Sequence, residues 1–300
     1  MYFRQRLQNL VVLAGVPEKL RAIVQEGIQY GQVQYGEIAT DDANREADEA
    51  QLAEDQRRFV ISEAEGLLHH VSETLLRLYF AHEGLPACPW LEIARERHPG
   101  DFKRKVDQRF LSRIPSDQRR AKLAPVFHGA AERTAFGDDL PEADWTQSLD
   151  NIESFLVHYA QVFLEPGVYN AAKHGLAVRP GESMVQLGES DLLKQEGPSI
   201  EYLAERKDSD GQRRWGRATK WIDVERTIGF IYMATRLIEA IWGIGRGRYV
   251  ETADRFAVAF FHKFGAPDLL PKEGVTLGQL HIPLLYYRRL SASGPICGAA

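Results

Sequence analysis

Apolar residues recur at three- and four-residue intervals over most of this chain, and that spacing predicts helices. Over residues 50–82 the positions Phe59, Val60, Ala64, Leu67, Leu68, Val71, Leu75, Leu78 and Tyr79 form one apolar stripe, the buried face of a long first helix. An acid-rich run over 46–55 opens it, where negative charge suits the positive end of the helix dipole, and Gly84, Pro86 and Pro89 stop it. Trp90 begins a shorter helical piece that ends at His98-Pro99-Gly100, and Pro115 divides the basic stretch that follows into two helices. Pro141 to Asp144 signals the next start, after which Trp145, Leu149, Ile152, Phe155, Leu156, Tyr159 and Phe163 fall in helical step. Asp223 is placed to cap a last long helix through Val224, Ile228, Ile231, Thr235, Ile238 and Trp242, with Gly243, Gly245 and Gly247 at its end. Short flanking helices are expected over 17–30 and 253–264.

The texture changes only after Gly175. Two β-prone runs, 199–207 and 212–221, flank Asp208-Ser209-Asp210-Gly211, and an Asp-Gly pair between such runs is a hairpin signal. The expected fold is therefore mainly α, a helical bundle with one β-hairpin insert. The domain reading is a peripheral N-terminal segment over 1–49, the bundle over 50–265 with its insert near 199–221, and a C-terminal tail over 266–300.

Charge and composition narrow the function classes. The chain of 300 residues has a formal net charge of −5, which argues against coating nucleic acid or membrane through total charge alone. Locally, residues 95–122 hold ten basic against four acidic side chains. That segment could track a phosphate backbone, or it could be a solvated face or a mate for the acidic stretch over 37–65. Cys88 and Cys297, far apart in unlike surroundings, make neither a disulfide framework nor a zinc set. With no signal-peptide core and no apolar run of about 18 residues, the expectation is a cytoplasmic protein that does not engage a membrane.

The densest chemistry lies in Tyr169-Asn170-Ala171-Ala172-Lys173-His174-Gly175. Asn170 and His174, four apart, share a face if the segment is helical. Imidazole is the side chain best placed to exchange protons near neutral pH, and Lys173 adds a point charge. A structural role is the plain alternative: Asn170 capping a helix, with His174 and Gly175 closing it.

This segment resembles the signature of the HEPN superfamily, helical bundles many of which are RNA-cleaving toxins or defence effectors. Their motif runs from an arginine, through a polar residue such as Asn, to a histidine often followed by glycine. Asn170, His174 and Gly175 match the last three positions, and Tyr169 stands where the arginine belongs. The resemblance implies a metal-independent endoribonuclease acting as a homodimer on RNA, without a cofactor, with His174, Asn170 and Lys173 as catalytic residues and Tyr169 beside them. Its departure at Tyr169 implies the alternative, a non-catalytic binding or dimerisation module of the same fold.

Three other groupings carry weaker signals. Arg77 and His82 restore the arginine-to-histidine spacing, but with an apolar second position. Arg213, Arg214 and Arg217 with Trp215 mix positive charge and an indole on the predicted hairpin, a composition suited to binding nucleic acid. Glu65 with His69, and Glu153 with His158, are the pairs from which a metal-dependent bundle enzyme, the second alternative, would be built with His70 and His174. They lack the paired Glu-x-x-His repeats of di-metal bundles.

Overall fold

A computed structural model describes residues 6, 7, 10, 42–96, 98–112, 116–137, 140–165, 167–175, 177–186, 194–207, 211–250, 258–262 and 279–283. It is mainly helical with a small antiparallel sheet. In chain order the elements are α1 (Asp42–Glu83), α2 (Pro89–Arg95), α3 (Pro99–Val106) running into a π-helical turn (Asp107–Leu111), α4 (Ser116–Phe127), a 3-10 turn (Arg133–Phe136), α5 (Glu142–Leu164), α6 (Gly167–Lys173), β1 (Arg179–Gln186), β2 (Lys194–Lys207), β3 (Arg213–Trp221), α7 (Val224–Tyr249) and β4 (Gln279–Pro283). The chain divides into two compact units, each assembled from three stretches. Unit 1 comprises Met1–Val11, Leu67–Pro166 and Glu225–Gly274, and unit 2 comprises Val12–Gly66, Gly167–Val224 and Val275–Ala300.

Unit 1 is helical and aromatic. The expected stripe of α5 is buried throughout, from Trp145 to Phe163, because its apolar residues recur at the helical period. Tyr79 packs on Phe80, Phe110 and Phe127, and Phe102 meets Phe80 and Phe163 edge to face. The Tyr159 hydroxyl, fully buried, donates to the Phe230 carbonyl at 2.7 Å, so its polar tip is satisfied inside the core. α2 and α3 each start on a proline, whose fixed φ suits the first helical turn and whose missing N–H would have found no partner there.

Three expectations change in unit 1. Trp242 belongs to the predicted stripe of α7, yet it is 49% exposed and rests edge-on against Trp90 at 5.9 Å. The glycines at 243, 245 and 247 do not end α7, which runs on to Tyr249. Gly245 has a packing reason: a Cβ there would lie 3.1 Å from Nε2 of His82. Of the aromatic helix expected over 253–264, the described residues 258–262 are not helical. Among the described residues α7 is the one helix long and apolar enough to cross a membrane by length and composition, and 61% of that window is buried.

Unit 2 combines the N-terminal part of α1, the short α6 and the sheet. Its strands lie in the order β1-β2-β3-β4, all antiparallel, so the sheet is larger than the two strands expected from the sequence. Alternation along β3 places Gly216 and Ala218 inward. Ala218 packs with Ile200 and Tyr202 of β2, Ile61 of α1, and Val168 and Ala171 of α6. Phe59, assigned to the buried stripe of α1, is 54% exposed, since it lies about a quarter-turn from Val60 and away from Ile61. The helix expected over 17–30 lies outside the described residues.

Candidate functional site

The seven-residue signature forms α6 and its exit. The helix begins at Gly167, a position where a side chain would collide with Tyr202: a Cβ would lie 2.6 Å from the phenolic oxygen. Val168 and Ala171, three apart, are its buried face. Asn170, Lys173 and His174 are exposed, and Tyr169 is half-buried. The exit is closed by backbone alone. The His174 N–H donates to the Asn170 carbonyl at 3.0 Å, and the Gly175 N–H donates to the Ala172 carbonyl at 3.2 Å. Gly175 has φ +68, the left-handed conformation that ends helices and that glycine adopts without strain. Ala177, at φ +40, then donates its N–H back to the Gly175 carbonyl at 3.0 Å.

This geometry divides the plain structural alternative. Gly175 does close the helix, and Lys173 and His174 sit where positive charge suits its dipole. Asn170 lies in the middle of α6 and caps nothing. Among the described residues the His174 imidazole makes no hydrogen bond or ion pair, so it is open to solvent and to a ligand.

The basic and aromatic residues of the sheet separate by strand alternation. Arg213, Trp215 and Arg217 point to one face of β3, and Arg214 points to the other with Gly216 and Ala218. Since α6 packs on the Ala218 face, the Arg213–Trp215–Arg217 face lies on the opposite side of the sheet from the signature helix. Two of the guanidinium groups have carboxylates nearby, Arg213 with Glu205 at 3.3 Å and Arg217 with Glu201 at 3.9 Å. Lys220 is engaged by Glu65 at 2.5 Å.

In unit 1 the other candidates are occupied by structure. Arg77 pairs with Glu73 at 2.8 Å and covers the Phe102 ring, while His82 is buried and donates from Nδ1 to the Leu78 carbonyl. Five basic side chains of the stretch over 95–122 meet carboxylates of their own unit. Arg95, Lys105, Arg109, Arg119 and Arg120 meet Glu92, Glu96, Glu83, Glu153 and Asp150 respectively. Of the metal-type pairs, Glu153 is held by Arg119, His158 stacks on Phe230 at 3.8 Å, and His69 stacks on Phe163. Among the described residues no group of three His, Cys, Asp or Glu side chains is placed to hold a metal ion.

Burial also sets the protonation of these histidines. Desolvation lowers the pKa of His69 and of His128 to about 4 and lowers that of His82 as well, so all three stay neutral near pH 7. The His128 Nε2 lies 3.1 Å from the Ser148 hydroxyl, which also accepts the Phe261 N–H at 2.9 Å. Ser148 is fully buried, so this pair holds residue 261 in place and meets no substrate.

Pattern reading passed over an open, polar cleft of about 430 Å³ in unit 2. It runs along five consecutive residues of β1, from Arg179 to Ser183, and includes Glu54 and Arg58 of α1 with Ser199, Glu201 and Arg217 of the neighbouring strands. No local sequence signal marks it, because its members come from four elements brought together by strand pairing. Comparison of the chain with protein-family models, with curated proteins and with solved structures finds no match.

Proposed function

We propose that this chain is an RNA-directed protein of the HEPN-like kind, a helical bundle with a hairpin insert that works in the cytoplasm as a homodimer, in a stress or defence setting. The observation that carries the reading is the exposure of His174 with Asn170 and Lys173 at the closed end of α6. The chemistry is transesterification without a metal. The 2′-hydroxyl attacks the adjacent phosphorus, the bond to the 5′-oxygen breaks, and a cyclic phosphate and a 5′-hydroxyl result. A neutral imidazole accepts the proton of the attacking hydroxyl, and a protonated one supplies the leaving oxygen. Two copies of His174 across a dimer provide both roles, Asn170 orients the phosphate, and Lys173 offsets charge on its oxygens.

The test is cleavage of a structured RNA in EDTA by the purified protein and by His174→Ala. Cleavage by the wild type and its loss in the variant is the expected outcome. Equal cleavage by both, or none by either, sinks the catalytic claim. A second reading is favoured by Tyr169 in the arginine position: a non-catalytic module of the same fold that binds RNA or a protein partner. It predicts RNA retention by both proteins with no cleavage by either.

A further inference from the structure

The polar cleft beside β1 has a composition unlike that of an ordinary small-molecule pocket. Such pockets are mostly apolar with a few placed polar groups, whereas this one is lined by three arginines and three glutamates, Arg58, Arg179, Arg217, Glu54, Glu182 and Glu201. Its volume of about 430 Å³ falls in the range of small-ligand sites. Most of these charges are already matched. Glu54 meets Arg58 at 3.0 Å, Glu182 meets Arg57 at 3.6 Å, and Glu201 lies 3.9 Å from Arg217. Arg179 differs from the rest: it is exposed, and among the described residues it has no hydrogen-bond or ion-pair partner.

An unpaired guanidinium at the rim of a cleft presents a planar fork of N–H donors, the geometry that phosphate oxygens match in pairs. Carboxylates would repel a bare anion, but they accept hydrogen bonds from hydroxyls and exocyclic amines. A ligand carrying a phosphate at one end and ribose hydroxyls at the other therefore suits the mixed lining better than phosphate alone. The Ser183 and Ser199 hydroxyls, joined at 2.8 Å, add donors and acceptors to the floor. The indole N–H of Trp221 donates to the Ser183 carbonyl at 3.1 Å and fixes the strand backbone there.

We infer that this cleft is a ribonucleotide site, in which Arg179 holds the phosphate and Glu201 and Glu182 accept the ribose hydroxyls. The choice of a ribonucleotide rests on the RNA-directed reading above; the cleft and its open arginine do not. Arg179 follows His174 by five residues, so their Cα atoms are no more than about 17 Å apart. The tight hydrogen bond from Ala177 to Gly175 shortens that reach further. Arg179 pairs in register with Glu201 and shares the Arg217 face of the sheet, so the cleft is a site separate from the His174 face of α6.

The phosphate has two sources, a free mononucleotide or an RNA strand, and titration distinguishes them. Adenosine 5′-monophosphate is titrated by calorimetry, and a fluorescein-labelled oligoribonucleotide by anisotropy, into the wild type, Arg179→Gln and Glu201→Gln. Loss of one charge-assisted fork should weaken phosphate binding by about tenfold or more. Arg179→Gln should show that loss for whichever probe binds, with an unchanged melting curve because the side chain is exposed. Glu201→Gln should narrow the preference for adenosine 5′-monophosphate over its 2′-deoxy form. Binding of the mononucleotide alone identifies a free nucleotide as the ligand and speaks against the RNA reading. RNA binding that survives Arg179→Gln overturns the assignment of the cleft and leaves the RNA reading standing. Failure of the wild type to bind either probe overturns both.

Discussion

The two units use the same side chains in opposite ways. Unit 1 buries His69, His82 and His128 among aromatic rings and sets Lys105, Arg109, Arg119 and Arg120 against Glu96, Glu83, Glu153 and Asp150. Unit 2 leaves His174, Lys173 and Asn170 in solvent and holds Arg179 open beside a polar cleft. The difference is instructive because abundance of chemistry-bearing residues does not go with their being left unpaired. Much of the segment richest in positive charge meets carboxylates of its own unit, whereas the side chains of Asn170, Lys173 and His174 are exposed and, among the described residues, unpaired. A guanidinium that the fold leaves without a carboxylate keeps its whole donor fork for a ligand, whereas a paired carboxylate still has lone pairs to offer.

The contrast is broken most forcefully from the side of unit 1. Leu75 is fully buried, and Leu75→Ala should destabilise the protein by about 2–5 kcal/mol, read from chemical denaturation. Next in size is the pH dependence set by His128. Its pKa is about 4 in the fold and 6.5 in the unfolded chain, so between those values the unfolded state binds the proton first. Stability is therefore full above about pH 6.5 and falls as pH drops toward 4, by roughly 3 kcal/mol for this one group. His69 acts in the same sense. His128→Gln should flatten that slope in denaturation curves between pH 4 and 7; an unaltered slope would mean that His128 is not the group responsible.

Gly167→Ala probes the seating of α6 in unit 2. The new methyl would meet the phenolic oxygen of buried Tyr202, and moving a rigid ring should cost about 1–3 kcal/mol. Smallest of all on stability is His174→Ala, expected within about 0.5 kcal/mol of the wild type because nothing in the fold leans on the ring. A histidine that is silent in stability and decisive in RNA cleavage would sharpen the contrast between the units. A large loss of stability in that variant would erase it.

The helices were legible because each carries its own signal. The buried positions of α5 follow directly from a 3.6-residue period, and the proline starts of α2 and α3 are local chemistry. The first and fourth strands were not. β1 contains Pro180 and Gly181, which read as a loop, and only pairing with β2 makes it a strand. β4 pairs with β3 across more than fifty intervening residues, a contact no local window contains. The same limit hid the cleft. His174 announced itself within a seven-residue motif, whereas Arg179 stands out only against Arg58 and Arg217, which line the same cleft and are paired. The glycines after Trp242 misled for a complementary reason, since packing of α7 outweighs a helix cost of about 1 kcal/mol for each of them.

The chain crosses between the two units at five points, and one of them, after Gly66, falls inside α1. Neither unit can therefore be cut out as a single continuous fragment. A fragment ending at residue 166 would lack α7 and so lose Phe230, whose carbonyl receives the buried Tyr159 hydroxyl. One beginning at residue 167 would lose Ile61, the contribution of α1 to the core beneath the sheet. A fragment meant to keep either core must therefore carry all three stretches of that unit.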